Sequence, residues 1–204
     1  MGATHSQTPD VVFAHFPGIK IVAPGTPYDA KGLLKTAIRD NNPVVFLWHR
    51  MMYGWMEELP EEEWIVPLGE SKVRREGADV TVVASGYMVH RVISAAEKLA
   101  GETEVEVIDL RTIVPMDLET ILASVAKTGR LVVVHEANAC CGVGAEIVRR
   151  VAEERFDALI SPPKVVGGRG VPMPFSEVLE NACVPQETDI IKAIQKAIGH
   201  NNAK

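Results

Sequence analysis

The sequence predicts an α/β fold in three layers, a mainly parallel sheet between helices, preceded by part of a second α/β unit. Three observations predict it. Short runs rich in β-branched residues recur at 19–23, 44–48, 80–84, 105–110 and 131–134. Stretches with apolar residues at helical spacing separate them, and parallel strands need such crossovers. Hydrophobic residues make up 47% of the 204 residues and charged residues 24%, which is enough apolar material for a packed interior.

Taken in order, residues 2–10 are polar and lead at once into Val11-Val12-Phe13, which reads as entry into the middle of a domain. Residues 19–23 (IKIVA) form a strand closed by Pro24-Gly25. A helix then starts at Thr26-Pro27-Tyr28-Asp29. Thr26 caps it, Pro27 brings its preset φ to the first helical position, and Asp29 places negative charge in the first turn. Ala30, Leu33, Leu34, Ala37 and Ile38 share one face, and Pro43 stops the helix. Residues 44–48 (VVFLW) are the next buried strand.

Residues 51–77 break this rhythm with Gly54, Pro60, the run Glu61-Glu62-Glu63, Pro67 and Gly69. The expected organisation is a partial domain over 1–52, a linker over 53–78 with a short edge strand near its end, and a second domain over 79–204. In that domain, strand 80–84 is followed by a helix with Val89, Val92, Ile93, Ala96 and Leu99 on one face. Strand 105–110 ends at Arg111-Thr112, a turn follows at Pro115, and a helix begins at Asp117. Strand 131–134 ends at His135-Glu136, before a glycine-bearing loop and a helix carrying Ala145, Val148, Ala152 and Phe156. A short strand at 164–166, a loop from Gly167 through Pro174, and a helix with Ile190, Ile191, Ile194, Ala197 and Ile198 complete the domain. The tail after Gly199 is polar and is expected to fray.

The net charge of -6, with no basic cluster, argues against a nucleic-acid partner. No apolar run approaches the ~20 residues of a membrane-spanning helix, and the N-terminal segment has no secretory pattern. Three cysteines, two of them adjacent, make no disulfide framework, so a reducing cytoplasm is the expected setting.

Ligands of parallel sheets gather at strand carboxyl ends, where Arg111 and His135-Glu136 fall. Arg111 either binds an anion or forms a salt bridge that holds its turn; the salt bridge is the expected role. His135-Glu136 either orients a ligand or proton or anchors a loop as a buried polar pair. His5, in the polar segment Thr4-His5-Ser6-Gln7, is either an acid/base or phosphate-contacting histidine or a surface one. Cys140-Cys141-Gly142-Val143-Gly144 precedes a helix whose N–H groups can receive an anion, while the cysteines themselves are expected to pack. No zinc-ligand spacing is present. Carbonyls at the helix end 37–42, beside Asp40 and Asn42, suit either a hard cation or an ordinary capped terminus.

Six segments, in order from residue 2 to 198, carry a family resemblance: THSQ; FAHFPGIKIVAPGTPYDAKGLLKTAIRDNNPVVFL; PLGESKVRREGADVTVV; DLRTIVPMD; VVVHEA with GVGAEI; and VPMPFSEVLE. They resemble the β subunit of thiamine-diphosphate-dependent 2-oxoacid dehydrogenases, the type shared by the pyruvate, branched-chain 2-oxoacid and acetoin dehydrogenase complexes. Transketolase and deoxyxylulose-phosphate synthase share the fold but resemble these segments less.

The resemblance implies a partial pyrimidine-binding domain followed by a transketolase-type C-terminal domain. It also implies oxidative decarboxylation of a 2-oxoacid with acyl transfer to lipoamide. Two β and two α subunits would form a heterotetramer, with thiamine diphosphate at α/β interfaces and its magnesium held by the α subunit. The partners would be the α subunit, a second β subunit and a dihydrolipoyl acyltransferase core. The setting would be the cytoplasm, or the mitochondrial matrix in a eukaryote.

Residue by residue, the THSQ histidine is His5, implied to act in proton transfer or in positioning the lipoyl group. The AIRDNN segment implies a structural potassium site with Ala37, Ile38, Asp40 and Asn42 as ligands, partly through backbone oxygens.

The sequence departs from the family in three places. Trp48 stands where many relatives have Glu, Gly170 where many have Asp, and Cys140-Cys141 where they have small or aromatic residues. The family's glutamate that activates the aminopyrimidine lies in a half-domain before THSQ. The isolated 204-residue chain is therefore expected to be inactive, and to be an excised piece or one product of a split gene. An exposed sheet edge around 19–23 and 44–48 is expected to drive dimerisation. Two alternatives accompany this reading: a non-catalytic module for dimerisation or acyltransferase docking, and an acetoin dehydrogenase β subunit.

Overall fold

The computed structural model describes residue 2 and residues 4–199; the fraying expected after Gly199 concerns residues outside these. Among the described residues the strands form two sheets. The larger has five strands: β3 (Lys72–Arg75), β4 (Val80–Ala84), β5 (Val105–Asp109), β7 (Leu131–Asn138) and β8 (Lys164–Gly168), in the order β3-β5-β4-β7-β8. Its neighbours pair in parallel except at the edge, where β3 runs antiparallel to β5. The smaller has β1 (Lys20–Val22), β2 (Val44–Phe46) and β6 (Thr112–Val114), in the order β2-β1-β6.

The larger sheet is covered on both faces, so β4 and β5 are buried at every position. Val80, Val82, Val105, Val107, Val132 and Val134 point to one face. There they pack with Val89 and Val92 of α3 (Met88–Lys98) and Ile190 and Ile194 of α7 (Glu187–Gly199). Val83, Ile108, Leu131 and Val133 point the other way, against Ile121 and Val125 of α4 (Leu118–Thr128) and Ile147 and Val151 of α5 (Val143–Arg155). The strict alternation along each strand sets the two helix layers. Thr81, which shares the α4 face, contacts Ser124 and Thr128 through hydroxyl hydrogen bonds of 2.6 and 2.7 Å.

Local chemistry forms the elements as read. Thr26 caps α2 (Pro27–Arg39) by accepting from the Asp29 N–H, and Pro27 opens it. Asp117 caps α4 by accepting from the Thr120 N–H, and Gly129 closes it in the left-handed region at φ 69°.

The differences lie at the junctions. The segment after Leu110 forms β6, which leaves its own domain and pairs with β1 (Ile21↔Val114, Val22↔Thr112). Arg111 makes the transfer possible. Its φ of 57° turns the chain, and its carbonyl accepts from the Ala23 N–H at 2.8 Å. β1 is thus paired on both sides, while β2 and β6 are the edges of this sheet among the described residues.

β7 runs through His135 and Glu136 to Asn138 instead of ending at 134, and Gly167 and Gly168 belong to β8 instead of a loop. A side chain at Gly168 would stand 2.8 Å from the Glu136 carbonyl oxygen, so glycine is what lets these strand ends close up. α6 (Glu177–Cys183) follows the prolines read as loop, and α1 (Asp10–Ala14) precedes β1. Phe156 is 75% exposed in a turn beyond α5, and Cys140 and Cys141 are exposed, so none of the three packs as expected.

Candidate functional site

The carboxyl ends of both sheets face a common cleft of about 290 Å3. The chain after β1 contributes Ala23, the chain after β2 contributes residues 47–51, and the turn after β4 contributes Ser85, Gly86 and Tyr87. β7 contributes His135 and Glu136, and the segment from His5 to Asp10 forms a further wall beside Glu180 and Asn181 of α6. α6 holds that wall in place: Ser6 Oγ donates to Glu180 Oε1 at 2.5 Å, across 174 residues of sequence.

His5 stands exposed beside this cleft. Asp10, buried at the start of α1, accepts from the Val11 N–H at 2.8 Å, and burial pushes its carboxyl above the usual range. His49 bridges the two sheets. Its Nε2 lies 2.8 Å from Glu136 Oε2, while its Nδ1 accepts the Met51 N–H at 3.2 Å. An accepting Nδ1 leaves the N–H on Nε2, which donates to the Glu136 carboxylate. The ring also stacks on Tyr87, with centroids 4.6 Å apart and planes 10° apart.

His135 lies beneath, 4% exposed, with neither ring nitrogen in a hydrogen bond of normal geometry. Burial pushes its imidazole below the ordinary value, partly opposed by the Ala137 backbone. Three glycines make room for the ring. A Cβ at Gly144 would lie 2.9 Å from Nε2, one at Gly167 would lie 2.9 Å from Cε1, and one at Gly142 would overlap Cε1.

Four charges, three of them buried and Arg74 partly exposed, join the two units behind the cleft. Asp29 of α2 and Asp109 of β5 are fully buried. Arg74 of β3 bonds both, reaching Asp109 Oδ2 at 2.8 Å, and Arg111 reaches Asp29 Oδ1 at 2.7 Å. Arg111 therefore has the salt-bridge role, but it spans the units instead of bracing its own turn. Burial pushes the Asp109 carboxyl up to about 6, with Arg74 pulling down and Asp29 adding to the rise.

A pH dependence follows. The folded value exceeds the ordinary 3.8, so the fold binds this proton more tightly than the unfolded chain does. The resulting stabilisation is complete below about pH 3.8 and is lost as pH rises through about 6, a change of up to about 3 kcal/mol. In urea titrations from about pH 4 to pH 7, the wild type is expected to lose this much more stability than Asp109→Asn. Parallel pH curves would contradict it.

At the end of α2, the Asp40 carboxylate is already engaged. It pairs with the Lys20 ammonium and accepts from the Asn42 N–H and Nδ2, both at 2.8 Å. Those bonds hold it well below the usual range, at about 2, with the Lys20 hydrogen bond the largest cause. The side chain is thus committed, and a cation here would have to be held by the carbonyl oxygens of residues 37–42. Among the described residues no group of three or more His, Cys, Asp or Glu side chains could hold a metal.

The sequence-read residues divide accordingly. His5, His135 and Glu136 meet at the cleft, Arg111 lies behind it, and Ala37, Ile38, Asp40 and Asn42 stand apart at the far end of α2. Asp10, His49 and the Arg74–Asp109 pair were missed. The one local signal for Asp10 was Pro9-Asp10 opening a helix; His49 and Arg74 gain meaning only from partners distant in sequence.

The family model described as transketolase, C-terminal domain, matches residues 69–190, and that for the transketolase pyrimidine-binding domain matches residues 1–56. The chain is 46% identical over 197 residues to acetoin:2,6-dichlorophenolindophenol oxidoreductase subunit beta of Cupriavidus necator, covering 96% of this chain and 58% of that one. It is 45% identical over 197 residues to the pyruvate dehydrogenase E1 component subunit beta of Rickettsia felis, covering 96% and 60%. Against the mitochondrial E1 beta subunit of Bos taurus it is 47% identical over 204 residues, covering 97% and 57%. The chain therefore spans less than two thirds of the length of these relatives. A solved structure described as a split-gene transketolase, inactive beta4 tetramer, superposes with a TM-score of 0.79 at 26% identity, covering 96% of this chain and 63% of that one. With its five-stranded sheet inside the first match and its cleft walled by residues of both, the chain belongs to the transketolase family and carries its C-terminal domain.

Proposed function

We propose that the chain is the cleft-forming part of a β subunit of a thiamine-diphosphate-dependent 2-oxoacid dehydrogenase. The complete enzyme would decarboxylate a 2-oxoacid, pyruvate or a branched-chain one, and pass the acyl group to lipoamide. The observation that carries this reading is the meeting of the THSQ segment, with His5, and the ends of both sheets at one cleft. Relatives at 45–47% identity whose names specify pyruvate dehydrogenase E1 beta subunits support it.

Thiamine diphosphate supplies carbanion stabilisation when bound. The cleft residues fit one side of such a group: the aromatic His49–Tyr87 stack offers a flat wall, and buried Asp10 and His135 offer polar atoms. The diphosphate magnesium would be held by the α subunit. His5 would exchange a proton with, or position, a lipoyl group arriving from solvent. The His49–Glu136 pair would keep the two sheet ends in register. A structural potassium ion would rest on the carbonyls of Ala37, Ile38, Asp40 and Asn42, neutral oxygens that suit a weakly charged cation.

Assembly is part of the proposal. Ile38, Trp48, Met51 and Tyr53 are all about half exposed or more, and a hollow of about 490 Å3 lies between α2 and the chain around Trp55. Apolar surface of this kind marks an interface, here with an α subunit or a second β subunit. Size-exclusion chromatography with the cognate α subunit is expected to give a stoichiometric complex that Tyr53→Lys weakens. No complex with the wild type would count against the assignment.

The Cupriavidus necator relative favours a second reading, an acetoin dehydrogenase β subunit, which a preference for acetoin over 2-oxoacids would reveal.

A further inference from the structure

The turn between β7 and α5 carries Cys140 and Cys141, both exposed, with sulfurs 3.8 Å apart. Neighbouring residues of an extended chain point to opposite faces, which keeps their side chains apart. Here Cys141 adopts φ 54°, in the left-handed region that non-glycine residues rarely adopt. That backbone turn brings both thiols to one side. The turn is pinned at both ends: the Ala139 N–H donates to the Gly168 carbonyl at 3.0 Å, and the Gly142 N–H donates to the Ala139 carbonyl at 3.4 Å. The backbone that carries the two thiols is therefore set before any ligand arrives. An observed backbone outlier of this kind supports a functional role.

The separation is within reach of a chelate. A pyramidal arsenic(III) centre holds its two sulfurs a few tenths of an ångström closer than the 3.8 Å seen here, a gap that small side-chain rotations of two exposed thiols close. Two ligands are all the turn offers, since no group of three or more His, Cys, Asp or Glu among the described residues could hold a metal. The suitable ligand is a soft centre that two thiols satisfy.

We propose that Cys140 and Cys141 form a bidentate dithiol site for thiophilic centres of the trivalent organoarsenical class. In the reaction, two As–S bonds form. The arsenic-bound oxo oxygen leaves as water, carrying both thiol protons, and no electrons are transferred. The site lies outside the cleft and does not depend on the dehydrogenase reading.

The test uses phenylarsine oxide on the whole protein, with intact mass and free-thiol titration as readouts. The wild type is expected to take one equivalent, lose two titratable thiols, and keep the adduct against excess monothiol while releasing it to a dithiol. Cys140→Ser and Cys141→Ser are each expected to lose retention by about a hundredfold, the scale of a lost second attachment. Cys183→Ser, at a buried cysteine in α6, is expected to retain the adduct unchanged. Thermal melts of the serine variants matching the wild type would show that folding is intact. Release of the wild-type adduct by monothiol as readily as from the single-cysteine variants would overturn the proposal.

Discussion

Asp29→Ala is expected to lower the unfolding free energy by about 3–5 kcal/mol, the scale of breaking a buried charge pair from one side. Asp29 is fully buried and is the carboxylate that both Arg74 and Arg111 share. Removing it leaves Asp109 as the remaining carboxylate of the network and strands the Arg111 guanidinium, whose side chain is 11% exposed. Neither arginine can shed its charge, so neither can adapt by titrating. The loss falls where α2 of the first unit meets β3 and β6, so the two units should also separate more readily. Urea unfolding followed by circular dichroism measures the first effect, and limited proteolysis within 53–70 measures the second. Arg149→Ala is the control. Its pairs with Glu146 and Glu153 lie on the exposed face of α5, and its loss should leave the unfolding midpoint in place. An Asp29→Ala variant as mild as Arg149→Ala would contradict the network's role.

His5→Ala carries the second large effect. In the assembled enzyme, acyl transfer to the lipoyl group is expected to fall by about 10²–10⁴-fold, the usual contribution of a positioned acid or base. His5 is exposed and reachable by a group arriving from outside, so the variant should fold and assemble normally. Decarboxylation read with an artificial electron acceptor, which bypasses the lipoyl step, should fall much less. His5→Gln separates the roles, since it keeps hydrogen bonding but not proton transfer. Equal losses in both assays would move His5 from acyl transfer to the decarboxylation step, and no loss in either would return it to the surface.

The sequence disclosed what short-range chemistry controls. The Thr26-Pro27-Asp29 start of α2, the Asp117 cap of α4 and the buried valine runs of β4, β5 and β7 are each written within a few residues. The end of β7 and the course of residues 111–114 were not legible. Both depend on pairing with segments distant in the chain: Asn138 with Gly168, and Thr112 with Val22. α6 hid behind Pro172 and Pro174, whose turn character outweighed the helical spacing after Ser176.

The cleft was legible in part. His5 and His135-Glu136 could be picked out as a motif and a strand end. His49 needed the fold to bring it within 2.8 Å of Glu136, and Arg74 stands 35 residues from Asp109. Burial also reversed one reading. The cysteines expected to pack are exposed, because the turn they occupy follows the last paired residue of β7.

The measurement that tests the central claim most directly is carbon dioxide release from a 2-oxoacid by the protein at its natural full length, assembled with its α subunit. Release that requires thiamine diphosphate and magnesium, with pyruvate or a branched-chain 2-oxoacid preferred, is the predicted result. A complete assembly that binds the cofactor yet releases no carbon dioxide from any 2-oxoacid would contradict the account.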